Sequence, residues 1–516
     1  MMRVHNFALA CIFAGAALVL LAAPSPANAA ASPGDLTNAE MRILSTADVH
    51  LYREIFAEER SGKFAEARAH ERKLSDTSLK GYILAEHYLS NHSGRTPLRK
   101  LNDWLDEYGD LSMAPRIAKL ANRRARPLRA DVNDIPSFRR RGGGYEDVDL
   151  PDQPLSTPAA SAAYAQIRTF VRSDQPDQAA SVLNQLQQSG QAQMSDIARI
   201  AQYVAASYLA EGMNKQAYAM ATNVQGASAA PLLDWWAGQA AYRMMDYKDA
   251  APHFEKVAQV GSLPSWTRAA GAFWAARSYM RSGDPLKVVT LLKGAARERP
   301  TFYGMLAERM LGMDPQKDFE NPTLEPGAFA SLMREPAAHR AVALWQVGRR
   351  DDVPNEMARA FASLKYADTP AFVATARHMD LPNLELRASE TAASRGKLLT
   401  GLFPVPHYAP EGGYRVDPSL ILAFVRIESR FMPGVTSPAG AHGLMQLMPG
   451  TARAMAGGDP GNLSDPSHSL TLGQRYIMRL LDQVNGNLFQ LAAAYNAGPG
   501  SLNRWLARRG VQNDPL

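Results

Sequence analysis

Hydrophobic and polar positions along the chain fall into stretches of helical length, interrupted by glycine, proline and short polar runs. The first apolar run, Phe7 to Ala23, follows Arg3 and precedes Pro24-Ser25-Pro26-Ala27-Asn28-Ala29. A charged start, an apolar centre and an A-x-A end predict an export signal over residues 1–29, cut after Ala29. The alternative, an uncleaved membrane anchor, needs a longer span than this run provides. From about Leu36 to Ala121 the pattern predicts helices, one ending near Gly62 and the next starting just beyond it, in a segment 30–122. Residues 123–158 break that pattern, with seven arginines up to Arg141, the run Gly142-Gly143-Gly144 and scattered prolines. This segment reads as a solvated connector, with a basic patch for an anionic polymer as the other reading.

Helical patterning resumes over 159–394, now with a repeat. Ala206-Ser207-Tyr208-Leu209-Ala210-Glu211-Gly212 echoes Arg277-Ser278-Tyr279-Met280-Arg281-Ser282-Gly283, and Tyr242 holds the equivalent place between them. The three tyrosines are spaced by 34 and 37 residues, the period of helix pairs that bury one face against the next pair. Trp235, Trp236, Phe254, Trp266, Phe273 and Trp274 lie on these helices and are expected to pack between repeats rather than stack on a ligand. After the proline-rich strap Leu402–Pro410, short helices alternate with glycine-punctuated loops, so that 395–516 forms a separate module. The predicted fold is mainly α: a helical solenoid, or superhelical repeat domain, followed by a compact α-rich domain.

Composition narrows the function classes. The chain has 516 residues, 46% hydrophobic and 21% charged, which excludes fibrous and disordered classes for its bulk. A net charge of +6 and a pI near 9.2 favour contact with acidic polymers without selecting one. The one cysteine, Cys11, falls inside the predicted signal, with Ala8 where a lipoprotein signal needs leucine. The exported chain therefore carries no disulfide and depends on its core. His87 and His92 are off one helical face, and no H-E-x-x-H, phosphate loop or G-x-S-x-G is present. No metal and no cofactor are expected, nucleic acid is not an expected partner, and any membrane contact is peripheral.

Candidate chemistry gathers in the last module. Asp417-Pro418 is a helix start, with an N-cap followed by proline at the first helical position. The helix is apolar almost all round through Leu420, Ile421, Leu422, Ala423, Phe424, Val425 and Ile427, and reaches Glu428-Ser429 near its end. Burial, the negative end of the helix and the apolar neighbours Phe424 and Val425 would all raise the pKa of Glu428, unless Arg426 or Arg430 turned inward. A carboxyl still protonated near neutrality is what general acid catalysis requires. The local sequence fits a solvent-exposed glutamate equally well.

Two further motifs change that balance. Ser437 to Ala452, containing Gly443-Leu444-Met445-Gln446, is a loop leading into a short helix, and Asn487 to Gly500, containing Ala494-Tyr495-Asn496-Ala497-Gly498, is a helix stopped by Gly498. With Glu428-Ser429 they resemble, in order and spacing, the motifs of the soluble lytic transglycosylases, a family with a goose-lysozyme-like catalytic domain joined to a helical superhelix. Asp465-Pro466 and Leu472-Gly473-Gln474-Arg475-Tyr476 are similar to it too. The motifs cover roughly Pro404 to Trp505.

The resemblance implies cleavage of the β-1,4 bond between N-acetylmuramic acid and N-acetylglucosamine in peptidoglycan, leaving a 1,6-anhydromuramoyl end. It implies Glu428 as the catalytic acid and then base, Ser437 at the N-acetyl group, Gln446 and Met448 along the sugar groove, Tyr495 hydrogen-bonded near Glu428, and Asn496 supporting that wall. Peptidoglycan strands would be the substrate and the periplasm the compartment, with the solenoid available to envelope partner proteins. Each binding residue also has a plain structural reading: Met448 as core, Asn496 as a helix-end cap, Ser437 as a turn residue and Ser429 as a backbone anchor. The resemblance departs at the end, where the sequence passes Trp505-Leu506 and Arg508-Arg509 and reaches Leu516 without the further helix family members carry. Ordinary glycosidases need a second carboxylate, and Glu411, Asp417, Asp459, Asp465, Asp482 and Asp514 offer none in an evident nucleophile context. Two rivals remain: a hydrolytic muramidase, and a non-catalytic scaffold that binds peptidoglycan.

Overall fold

A computed structural model describes residues 36, 40–91, 96–124, 154–224 and 226–509. The signal-like segment, most of the arginine-rich connector, His92 and Asp514 lie outside the described residues. Helices make up the fold, and the β-structure among the described residues is limited to isolated bridges. The described residues divide into two compact units: one takes in those of 154–318 and 408–509, the other those of 36–124 and 319–407.

In the first unit, residues 154–310 form successive helix pairs around one continuous core. The repeat seen in the sequence is the C-terminal end of each first helix together with its exit turn. Tyr208, Tyr242 and Tyr279 are buried near the ends of the helices Met194–Ala210, Leu232–Arg243 and Ser265–Ser282. Two of their hydroxyls reach back to an acid of the preceding pair, Tyr208 to Asp177 at 2.9 Å and Tyr279 to Glu255 at 2.7 Å. The turns that follow are left-handed at Gly212, Met245 and Gly283, a conformation that costs a side-chain-bearing residue about 1–2 kcal/mol. Met245 sits there while 74% exposed. The six aromatic residues expected to pack between repeats do so: all are buried, and Trp274 meets Tyr242, Phe254, Phe273 and Tyr303 edge-on or tilted.

The second unit closes its core with helices drawn from two distant stretches. Tyr52, Ile55, Tyr82 and Trp104 pack with Leu344, Met357, Phe372 and Leu399 in one cluster. Between them lies a buried polar knot. Glu356, fully buried, accepts from the Tyr82 hydroxyl at 2.7 Å, the Ser112 amide at 3.1 Å and Arg340 Nε at 2.8 Å. The predicted helix break at Gly62 is present, with left-handed Gly62 ending Thr46–Ser61 and Phe64–Glu71 following.

Candidate active site

The helix Pro418–Glu428 starts as the sequence predicts, with the Asp417 carboxylate accepting from the Ser419 amide at 2.8 Å and Pro418 in the first turn. Its buried residues are Leu420, Ile421, Phe424, Val425 and Arg426. The expected burial all round does not hold, because one side faces outward and leaves Ile427 38% exposed. At the end of the helix the Ser429 hydroxyl donates to the Val425 carbonyl at 3.0 Å, the backbone role expected of it. Arg430 and Phe431 then both adopt left-handed backbone, at φ 53° and 62°. Two such residues in succession store strain, offset by burying the Phe431 ring. The sharp exit makes Glu428 the last helical residue.

Glu428 is half-buried, and among the described residues its carboxylate has no hydrogen-bond or ion-pair partner. Burial raises its pKa from 4.5 to about 7, and no cation among the described residues offsets the shift. A protonated carboxyl near neutrality is therefore available here.

The wall beside it comes from a helix that starts 60 residues downstream. Asn487 caps Leu488–Ala497 by accepting from the amides of Phe489 and Gln490, and Gly498 ends it. This places the Tyr495 ring 4.4 Å from that of Phe424, one turn before Glu428, and 5.3 Å from Tyr476. Burial, then the nearby charges of Glu428 and Tyr476, push the Tyr495 hydroxyl well above its ordinary pKa, so it stays a neutral donor. Its proton goes to the Met445 carbonyl at 2.7 Å. That bond ties the Glu428 helix, through Phe424 and Tyr495, to the loop bearing Gln446.

The loop is a double turn. Thr436 and His442 bridge across the first turn, and His442 and Leu447 across the second. In the first, Ser437 fills its structural alternative as a turn residue: its hydroxyl accepts from the Ala441 amide at 3.0 Å and keeps its own proton to donate. In the second, Gln446 is left-handed at φ 43° and its amide group donates to the Val435 and Gly443 carbonyls at 3.0 and 2.9 Å. This leaves the carbonyl oxygen of its side chain as an acceptor. Helix Pro466–Gln483 supports the loop from beneath. A Cβ on Gly473 would lie 2.4 Å from Met445 Cγ, and one on Gly443, at φ 80°, 2.3 Å from the Leu463 carbonyl. Only glycine permits these approaches.

Glu428, Tyr495, Gln446 and Ser437 are thus linked by a continuous set of contacts. Met448, 44% exposed, precedes the short helix Pro449–Ala456, and Asn496 is exposed beside Tyr495. Neither fills the structural alternative considered for it, Met448 because it is not core. Four of the other carboxylates are differently occupied, and Asp482 is exposed. Asp417, Asp459 and Asp465 accept from backbone amides at 2.8–3.0 Å, and Glu411 faces His468 at 3.2 Å. No cluster of three or more metal-ligating side chains occurs among the described residues. Phe424 and Tyr476 act as the platform for Tyr495, a function that helical patterning alone does not separate from ordinary core packing.

Residues 408–515 match the family model of the transglycosylase SLT domain. The soluble lytic murein transglycosylase of Escherichia coli (strain K12) is 27% identical over 258 residues, covering 47% of this chain and 39% of that protein. The membrane-bound lytic murein transglycosylase F of Pseudomonas putida (strain GB-1) is 36% identical over 107 residues, 19% of this chain and 21% of that protein. This chain therefore spans about four-tenths of the length of the first of these relatives. Among solved structures, an inactive mutant of the lytic transglycosylase Slt from Pseudomonas aeruginosa superposes with a TM-score of 0.55 at 21% identity, covering 90% of this chain and 80% of that one. That likeness establishes the fold. Residues 408–515 are thus a transglycosylase SLT domain, in a chain whose similarity to soluble lytic murein transglycosylases extends over 258 residues.

Proposed function

We propose that this protein is a lytic transglycosylase that cleaves the β-1,4 bond between N-acetylmuramic acid and N-acetylglucosamine in peptidoglycan. The observation that carries the reading is Glu428: a half-buried carboxyl, raised to about 7 by burial and without an opposing cation, beside a neutral tyrosine. In its protonated form it gives its proton to the glycosidic oxygen as the C1–O bond breaks. The N-acetyl oxygen of the muramoyl residue stabilises C1. Glu428, now a carboxylate, takes the proton of the C6 hydroxyl while that oxygen bonds to C1. The product is the 1,6-anhydro sugar, no water is consumed, and Glu428 returns to its starting state.

The remaining site residues have roles that suit their free atoms. The Ser437 hydroxyl proton is available to the N-acetyl carbonyl, and the Gln446 side-chain carbonyl to a sugar hydroxyl or N–H. Met448 offers an exposed apolar face to a pyranose ring, Asn496 extends the wall, and Tyr495 holds the loop to the Glu428 helix. A hydrolytic mechanism would need a second carboxylate about 5–5.5 Å away for retention or about 6.5–9.5 Å for inversion. Asp417, Asp459 and Asp465 are committed to backbone amides, which favours the single-carboxylate scheme. The catalytic module is 395–516, export follows cleavage after Ala29, and the helical repeats of 159–394 offer a surface to glycan or to envelope partners. No described helix is long and apolar enough to cross a membrane. Mass spectrometry of fragments released from purified peptidoglycan tests the reading. Products one water lighter than reducing muropeptides are expected, and reducing ends would make the protein a hydrolase.

A further inference from the structure

His442 stands at the junction of the double turn. Its backbone pairs with Leu447 in both directions, amide to carbonyl at 3.1 Å and carbonyl to amide at 3.2 Å, closing the turn that carries Gln446. It also bridges Thr436 across the turn that carries Ser437. Its half-buried ring then uses both nitrogens: Nδ1 lies 2.7 Å from Thr436 Oγ1, and Nε2 lies 2.9 Å from Ser464 Oγ. Ser464 is itself held, its amide donating to the Asn462 side chain at 3.0 Å, and it directly precedes Asp465, the cap of helix Pro466–Gln483. A neutral imidazole offers one N–H and one lone pair, and each hydroxyl can donate or accept, so either tautomer satisfies both bonds.

We infer that His442 is a positioning residue for glycan binding, a side-chain clamp that fixes the Ser437 and Gln446 turns against the loop before helix Pro466–Gln483. The inference rests on the proposed transglycosylase reading for what those turns bind, but not for the clamp itself. Tyr495 tethers the loop from the Glu428 side through the Met445 carbonyl. His442 tethers its other side through Ser464. Without the second tether, Ser437 and Gln446 lose their fixed placement while Glu428 keeps its surroundings, so binding weakens more than chemistry.

Steady-state kinetics on soluble glycan oligosaccharides, comparing the full chain with His442→Ala, Ser464→Ala and the double variant, tests this. His442→Ala is expected to raise KM about three- to tenfold, as loss of a half-exposed hydrogen-bonded bridge should, with kcat within about twofold. Ser464→Ala should reproduce part of the rise, and the double variant should be no worse than His442→Ala. In parallel, amide exchange at Ser437, Ala441 and Leu447 should accelerate in His442→Ala. An unchanged KM, a fall confined to kcat, or additive effects in the double variant would overturn the clamp. If the unmodified protein releases no anhydro product, the transglycosylase reading fails. Exchange then still judges the clamp, and equal rates at those amides in His442→Ala would refute it.

Discussion

Glu428 has a consequence for pH that runs in a definite direction. Its pKa rises from 4.5 to about 7 on folding because burial penalises the anion. The protonated form donates in the first step, so kcat/KM should fall tenfold per pH unit above about 7, measurable as the basic limb of a pH–rate profile. The same shift acts on stability. The contribution of the protonated carboxyl is complete below about 4.5 and is lost as pH rises through about 7. Glu428→Gln removes the charge, so it should match the unmodified protein in Tm at pH 4.5 and exceed it at pH 8. The difference at pH 8 should correspond to about 1–3 kcal/mol; a variant that is less stable there would contradict the assigned burial. Sequence alone left this residue open between a buried acid and an exposed helix end. The ambiguity was physical: the Glu428 helix supplies Phe424, whereas Tyr495, which packs on Phe424 and feels the Glu428 charge, arrives from a distant segment together with the loop it holds. The motifs at those segments, not the helix, made the site legible.

At the level of elements, helix starts and stops were largely written locally. Asp417, Gly62 and Gly498 cap or end helices where the pattern placed them, because caps and stops depend on single residues and the nearest backbone groups. The tyrosine repeat was legible for a related reason: it marks a helix end plus a left-handed turn, repeated with each helix pair. Met245 occupies that turn where its two counterparts have glycine, and its exposed side chain contributes little packing. Met245→Gly should therefore raise stability by up to about 1 kcal/mol in urea unfolding, and a loss of stability would show that the Met245 side chain packs. The double turn at 436–447 was less legible. The sequence marked it as a loop leading into a helix, and its shape depends on Ser464, Ser469 and Gly473, whose hydrogen bonds and close approaches leave no periodic signal.

For the whole molecule, the least legible feature was the second unit, whose core joins Tyr82 and Trp104 to helices some 250 residues later. Local periodicity predicts each helix but carries no information about which distant helix completes its burial. Glu356 ties these stretches together at the Tyr82 hydroxyl, the Ser112 amide and Arg340. Removing Glu356 takes an acceptor from the Tyr82 hydroxyl and the Ser112 amide and leaves Arg340 with Asp110, so Glu356→Ala should cost about 3–5 kcal/mol, read from the urea midpoint of the unit containing it. A cost below about 1 kcal/mol would mean that the knot is solvated.

In the proposed mechanism one carboxyl acts first as acid and then as base, and the release of anhydro-terminated fragments by the unmodified protein and by Glu428→Gln tests this most directly. With the variant folded, as its far-ultraviolet circular dichroism would report, the rate of release should fall at least 100-fold, the scale of a lost general acid–base group. The products of the unmodified protein should carry 1,6-anhydro ends. A Glu428→Gln protein that still releases anhydro ends at an undiminished rate would contradict the account and move the chemistry to another group.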